Sequence, residues 1–186
     1  MSHNTAVLVI DVQQGLCSGE YACPDPAGLI DRINTVTARA RAAGAPVVLI
    51  QHEDDGFLAH GSAAWQLAEG LAVDPADIQL RKTATDSFHR TDLHERLQQM
   101  GVGQVVICGL QSDFCVDTTT RSAMRLGYPV TLVADGHATM DNGLLSAELI
   151  SRHHGLTLSN IDSFGPRTTL VPARDVVFAL RDSRSI

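Results

Sequence analysis

Three side chains of this sequence, Asp11, Lys82 and Cys115, could together form a covalent catalyst. A thiol attacks a carbonyl carbon as thiolate, so it needs a base or a positive neighbour. A lysine ammonium supplies the charge, and an aspartate can take the thiol proton and return it to a leaving group. Cys115 has a setting that suits this chemistry. It follows the turn-rich stretch Gln111-Ser112-Asp113-Phe114 and opens a helical stretch from Val116 to Leu126. A helix N-terminus carries about half a positive charge and is expected to lower the pKa of a thiol placed on it. Thr118, Thr119 and Thr120 are weak helix formers, so local propensity yields there to some other demand. Ordinary roles exist for all three residues. Asp11 suits a turn or cap, Lys82 a solvated strand end, and Cys115 the inert buried thiol that free cysteine commonly is. Cys17, Cys23 and Cys108 fit that last role.

Whether the three meet depends on the elements that carry them. Ala6–Ile10, Pro46–Ile50, Gln104–Cys108, Val130–Val133 and Leu156–Leu158 have strand length and are apolar on successive residues, as strands covered on both faces are. A shorter sixth run covers Ile78–Lys82. Between them, Pro26–Ala43, Thr91–Gly101, Phe114–Gly127 and Gly143–Gly155 have helical spacing. Asp25 is placed to cap the first of these, with Pro26 in its first turn. Gly44, Gly101, Gly127 and Gly155 stand where helices stop. The alternation predicts a three-layer α/β/α architecture around a six-stranded, mostly parallel, Rossmann-like sheet, with residues 1–186 as one domain. In such sheets reactive groups gather at the carboxyl ends of strands, near the point where strand order reverses. Asp11 follows the first run, Lys82 ends the short one, and the segment leading to Cys115 follows Gln104–Cys108.

Composition narrows the classes of function. The chain has 186 residues, 44% hydrophobic and 19% charged, which supports a sizeable core and argues against disorder. A net charge of −7 with no basic run disfavours a nucleic-acid partner. The four cysteines show no CxxC spacing, so reduced thiols in a cytoplasmic protein are expected. Ala6–Ile10 is too short to span a membrane and no basic leader precedes it.

The segments around the three candidates resemble the isochorismatase-like cysteine hydrolases. Val7-Leu8-Val9-Ile10-Asp11-Val12-Gln13 is similar to that family's opening strand. Lys82-Thr83-Ala84-Thr85-Asp86-Ser87-Phe88 with Thr91-Asp92-Leu93 is similar to its lysine segment. Cys108-Gly109-Leu110-Gln111-Ser112-Asp113-Phe114-Cys115-Val116, with Thr119 and Arg121, resembles its nucleophile segment. Gly127-Tyr128-Pro129-Val130 and Asp135-Gly136 match the strand that follows. The resemblance implies a triad of Asp11, Lys82 and Cys115 that cleaves a small amide through a thioester. It also implies a cis peptide at Leu110–Gln111, aiming the backbone N–H groups of Gln111 and Cys115 at the oxyanion.

The sequence departs from the nicotinamidase branch. That branch carries Asp-x-His and a later His for a metal, whereas Gln51-His52-Glu53-Asp54-Asp55 and His60 stand here. The expectation is therefore a metal-independent enzyme without a cofactor, with His52, Asp54 and His60 on a substrate-contacting or solvated loop. Gln13, Leu16, His52, Trp65, Phe88 and Phe114 are candidate substrate contacts, each with core packing as its ordinary role. Family members assemble, so a homo-oligomer (dimer or larger) is implied, with Val176–Leu180 as a segment to pack on the sheet or a neighbour. Two other readings stay open. One is a vinyl-ether hydrolase of isochorismatase type that uses Asp11 without Cys115, and the other is a non-catalytic member that binds a small molecule.

Overall fold

The computed structural model describes residues 4–179. Its strands are β1 (Asn4–Ile10), β2 (Val47–His52), β3 (Ile78–Lys82), β4 (Val102–Leu110), β5 (Val130–Ala138) and β6 (Thr168–Val171). They form one sheet in the order β3-β2-β1-β4-β5-β6, with every neighbouring pair parallel. The helices are α1 (Gln14–Cys17), α2 (Pro26–Ala42), α3 (Leu93–Gln99), α4 (Cys115–Arg125) and α5 (Ala147–Asn160).

The continuous apolar runs are explained by two cores, one on each face. Along β1, Val7 and Val9 join Leu29, Ile33 and Val36 of α2. The alternate residues Ala6, Leu8 and Ile10 join Leu93 and Leu97 of α3, Val116 and Met124 of α4, and Leu158 of α5. β2 and β4 divide their side chains in the same way. A strand buried on both faces has no solvent side to mark with polar residues. The expected cap of α2 is present: Asp25 accepts a hydrogen bond from the Gly28 N–H at 3.1 Å, and Pro26 occupies the first turn.

The C-terminal third differs from the sequence expectation. Leu156–Leu158 is helical and lies inside α5, with Leu158 buried and Leu156 exposed. Gly155 does not stop that helix. It lies within it, packed against Leu170 of β6, where a Cβ would sit 3.4 Å from the Leu170 side chain. The sixth strand is Thr168–Val171, a four-residue edge strand. Val176 and Phe178 pack on the α2-side core, while Leu180 lies outside the described residues.

Strand order reverses between β1 and β4, which are direct neighbours. The backbones approach closely there. Gly109, paired with Ile10, has φ +119°, and a Cβ on it would overlap the Ile10 carbonyl oxygen. Only glycine adopts this conformation without strain. Gly109→Ala is expected to lower stability by at least about 1–3 kcal/mol, from the left-handed backbone alone. Urea unfolding measures this, and an unchanged midpoint would contradict the proposed close approach.

Candidate active site

Four consecutive strand ends build one cluster. In sheet order they are Lys82 at the end of β3, His52 at the end of β2, Asp11 just after β1, and the loop from β4 to Cys115. Asp11 turns out of its strand in the left-handed region (φ 51°), which aspartate tolerates better than most residues, while its N–H stays bonded to the Ile50 carbonyl at 2.8 Å. Lys82 stands two strands from β1. Neighbouring strands lie about 4.8 Å apart, so a long side chain is needed to cross over β2. Cys115 is the first residue of α4.

The Lys82 ammonium, with no side-chain exposure, sits at the centre. It donates to Asp11 Oδ2 at 2.8 Å, to the Ala84 carbonyl at 3.1 Å and to Cys115 Sγ at 3.2 Å, and lies 3.4 Å from His52 Nδ1. Asp11 is itself buried, and its second oxygen, Oδ1, has no hydrogen-bond partner among the described residues. The ligand atoms of Asp11, His52 and Cys115 all lie within 4.8 Å of one another.

The electrostatics differ from the sequence expectation of a low thiol pKa. Burial pushes the Cys115 thiol up to about 12, and the Asp11 carboxylate adds to that, against the opposing pull of Lys82. Burial works against the Lys82 charge, but Asp11 and then Cys115 outweigh it and hold that pKa above the ordinary lysine value. These shifts favour a neutral thiol beside a charged ammonium at rest. A thiolate would add a second buried anion beside a single cation, and uncompensated buried charge is costly.

Residues 5–157 match the isochorismatase domain family. This protein belongs to the isochorismatase family. A streptothricin hydrolase of Streptomyces noursei is 35% identical over 176 residues, covering 90% of this chain and 64% of that protein. A second streptothricin hydrolase of the same organism is 37% identical over 138 residues, covering 73% and 55%. The chain therefore spans less than two thirds of the length of either relative. The crystal structure of an isochorismatase family protein superposes with a TM-score of 0.83 at 36% identity, covering 90% of this chain and 98% of that one. An isochorismatase from Pseudomonas putida KT2440 superposes with a TM-score of 0.86 at 26% identity, covering 94% and 90%.

Within this isochorismatase-family fold the other candidates take varied places. Leu110–Gln111 is a cis peptide. Gln111 offers its carbonyl to the N–H groups of Phe114 and Val116, both at 3.1 Å, which ties the loop to the start of α4. The N–H groups of Gln111 and Cys115 have no partner among the described residues. Gln13, expected to contact substrate, is fully buried and its amide is already engaged. It donates to the carbonyls of His52 and Trp65 and accepts from the His52 N–H, all at 2.9 Å. Gln13 therefore positions His52 and Trp65, and Gln51, not among the sequence candidates, donates to the same Trp65 carbonyl at 3.0 Å. Leu16 packs on the α2-side core and Phe88 stacks on Tyr128 at 6.2 Å between centroids, while Phe114 stays 53% exposed. The Trp65 ring meets His60 edge-on, and its indole N–H is buried without a partner among the described residues.

His52, Asp54 and His60 do not converge. Asp54 accepts from the Gly56 and Leu58 N–H groups, and His60 lies on Trp65. Among the described residues the group of possible metal ligands is Asp11, His52 and Cys115, and the Lys82 ammonium contacts all three. The cluster's positive charge thus comes from its own lysine. No helix among the described residues is long and apolar enough to cross a membrane.

The raised thiol pKa fixes a pH profile. A group with pKa near 12 stays protonated through neutral pH, so its thiolate fraction grows about tenfold per pH unit below that value. Alkylation of Cys115, followed by peptide mass spectrometry, should rise steadily from pH 7 to 10 without a plateau. Asp11→Asn should lower this pKa and Lys82→Met should raise it. A plateau below pH 8 in the native protein would contradict the resting-thiol state.

Proposed function

We propose that this protein is a metal-independent cysteine hydrolase that cleaves the C–N bond of a small amide through a thioester on Cys115. One observation carries the reading: a single buried ammonium touches both the Asp11 carboxylate at 2.8 Å and the Cys115 sulfur at 3.2 Å. A hydrolytic role agrees with the relatives named streptothricin hydrolase.

The proton path follows from the unpartnered oxygen. As the substrate carbonyl approaches, Asp11 Oδ1 accepts the Cys115 thiol proton and the sulfur attacks the carbonyl carbon. Negative charge moves to the carbonyl oxygen, where the N–H groups of Gln111 and Cys115 receive it. The C–N bond then breaks and protonated Asp11 returns the proton to the leaving nitrogen, giving amine and thioester. Asp11, again a carboxylate, draws a proton from water as its oxygen attacks the thioester carbon. Collapse expels the sulfur, which recovers its proton from Asp11 and leaves a carboxylic acid. Lys82 remains an ammonium throughout, holding Asp11 in place and offsetting whichever neighbour carries the negative charge.

His52 and Trp65, fixed through their backbones by Gln13 and Gln51, border the cluster as substrate contacts, with Leu16, Phe88 and Phe114 as the apolar candidates. Small linear amides and lactams form the substrate panel. Cys115→Ala is expected to lower turnover of any accepted amide by about 10⁴-fold or more, since removing a covalent nucleophile costs on that order. Hydroxylamine should release the acyl group from the native enzyme as a hydroxamate. Full activity in Cys115→Ala would overturn the thioester and favour chemistry led by Asp11, as in vinyl-ether cleavage.

A further inference from the structure

The loop that carries Gln111 has no regular structure, yet it is anchored from outside the triad. Ser112, the next residue, is fully buried. Its N–H donates to the Ala138 carbonyl of β5 at 2.9 Å. Its hydroxyl lies 2.8 Å from His137 Nδ1 and 2.8 Å from the Ser151 hydroxyl of α5. Asp113 adds a further tether by accepting from the Thr139 hydroxyl. From the inner side, the Gln111 carbonyl is held by the start of α4. Gln111 is therefore gripped on one side by the nucleophile helix and on the other, through Ser112, by β5 and α5.

A serine hydroxyl 2.8 Å from a histidine nitrogen also has the form of a hydrolytic pair. Burial rules that out here, because Ser112 has no exposed surface for a carbonyl to reach. His137 is only 6% exposed, on a cleft of about 500 Å³ beneath α5 that is separate from the Cys115 cluster. Burial holds its ring neutral at working pH, with a pKa down at about 4. A neutral ring has one donor and one acceptor nitrogen, and the Ser112 hydroxyl can suit either tautomer: it donates its O–H to an unprotonated Nδ1, or accepts from Nδ1–H and donates to Ser151.

We propose that Ser112 and His137 are positioning residues for the Cys115 site, their hydrogen bond fixing Gln111 so that its N–H points where the oxyanion forms. This rests on the thioester reading above. It separates two properties of one cysteine: the intrinsic reactivity of the sulfur, set by Asp11 and Lys82, and the stabilisation of the oxyanion, which needs Gln111 in place.

Two reagents read those properties independently. Iodoacetamide attack occurs at a saturated carbon and develops no oxyanion, whereas acylation by 4-nitrophenyl acetate does. In Ser112→Ala, and in His137→Leu, acylation of Cys115 should fall about 10- to 100-fold, the scale expected when an oxyanion donor is misplaced. Alkylation should stay within about twofold. His137→Asn, which keeps a polar atom near the Nδ1 position, should recover most of the acylation rate. Equal losses in both reactions, or no loss in either, would overturn the positioning role, as would failure of His137→Asn to outperform His137→Leu. If native Cys115 is alkylated but never acylated, the thioester reading itself fails, and this inference fails with it.

Discussion

The contact between the Lys82 ammonium and the Asp11 carboxylate is the interaction on which the rest of the site depends. Both groups are almost fully removed from solvent, and either alone would be costly there. Together, with the Ala84 carbonyl accepting a further hydrogen bond from the ammonium, they form a buried neutral pair. Everything near them is arranged around that pair. β3 must lie two places from β1 for a lysine to bridge the gap, and β4 must lie against β1 for α4 to begin beside it. Gly109 permits that last approach, and Asp11 leaves its strand in the left-handed region.

This charge balance also governs the sulfur. A buried cysteine beside one cation and one anion has no electrostatic reason to ionise at rest. The lysine is already compensated, so it tempers the effect of burial without overcoming it. In the proposed mechanism the thiolate then exists only while Asp11 holds the proton, which couples nucleophile formation to the presence of a carbonyl. Such a thiol is shielded from adventitious oxidation and alkylation, since both act on the thiolate.

The candidate site was more legible in the sequence than the sheet's far edge. Asp11, Lys82 and Cys115 were legible because each ends or follows a recognisable element, and doubly wound sheets gather such ends together. Leu156–Leu158 misled because two leucines flanking one threonine suit a short strand as well as a turn of amphipathic helix, and Gly155 has the form of a stop signal. The true edge strand, Thr168–Val171, is four residues long and too short to show a period. Gln13, close behind Asp11 in sequence, suggests a substrate contact. Only the tertiary fold shows its amide clamping His52 and Trp65. The pKa of Cys115 was beyond local reading for a related reason. A helix terminus and a lysine are visible in sequence, whereas the depth of burial and the proximity of Asp11 to the sulfur are not.

The central claim is that Cys115 rests as a neutral thiol beside the Lys82 ammonium. Infrared spectroscopy of the S–H stretch tests it most directly, as the difference between the native protein and Cys115→Ala at neutral pH. The account predicts that the substitution removes one S–H band while those of Cys17, Cys23 and Cys108 remain. If no band is lost, Cys115 is already a thiolate at rest and the charge balance proposed for Lys82 and Asp11 is wrong.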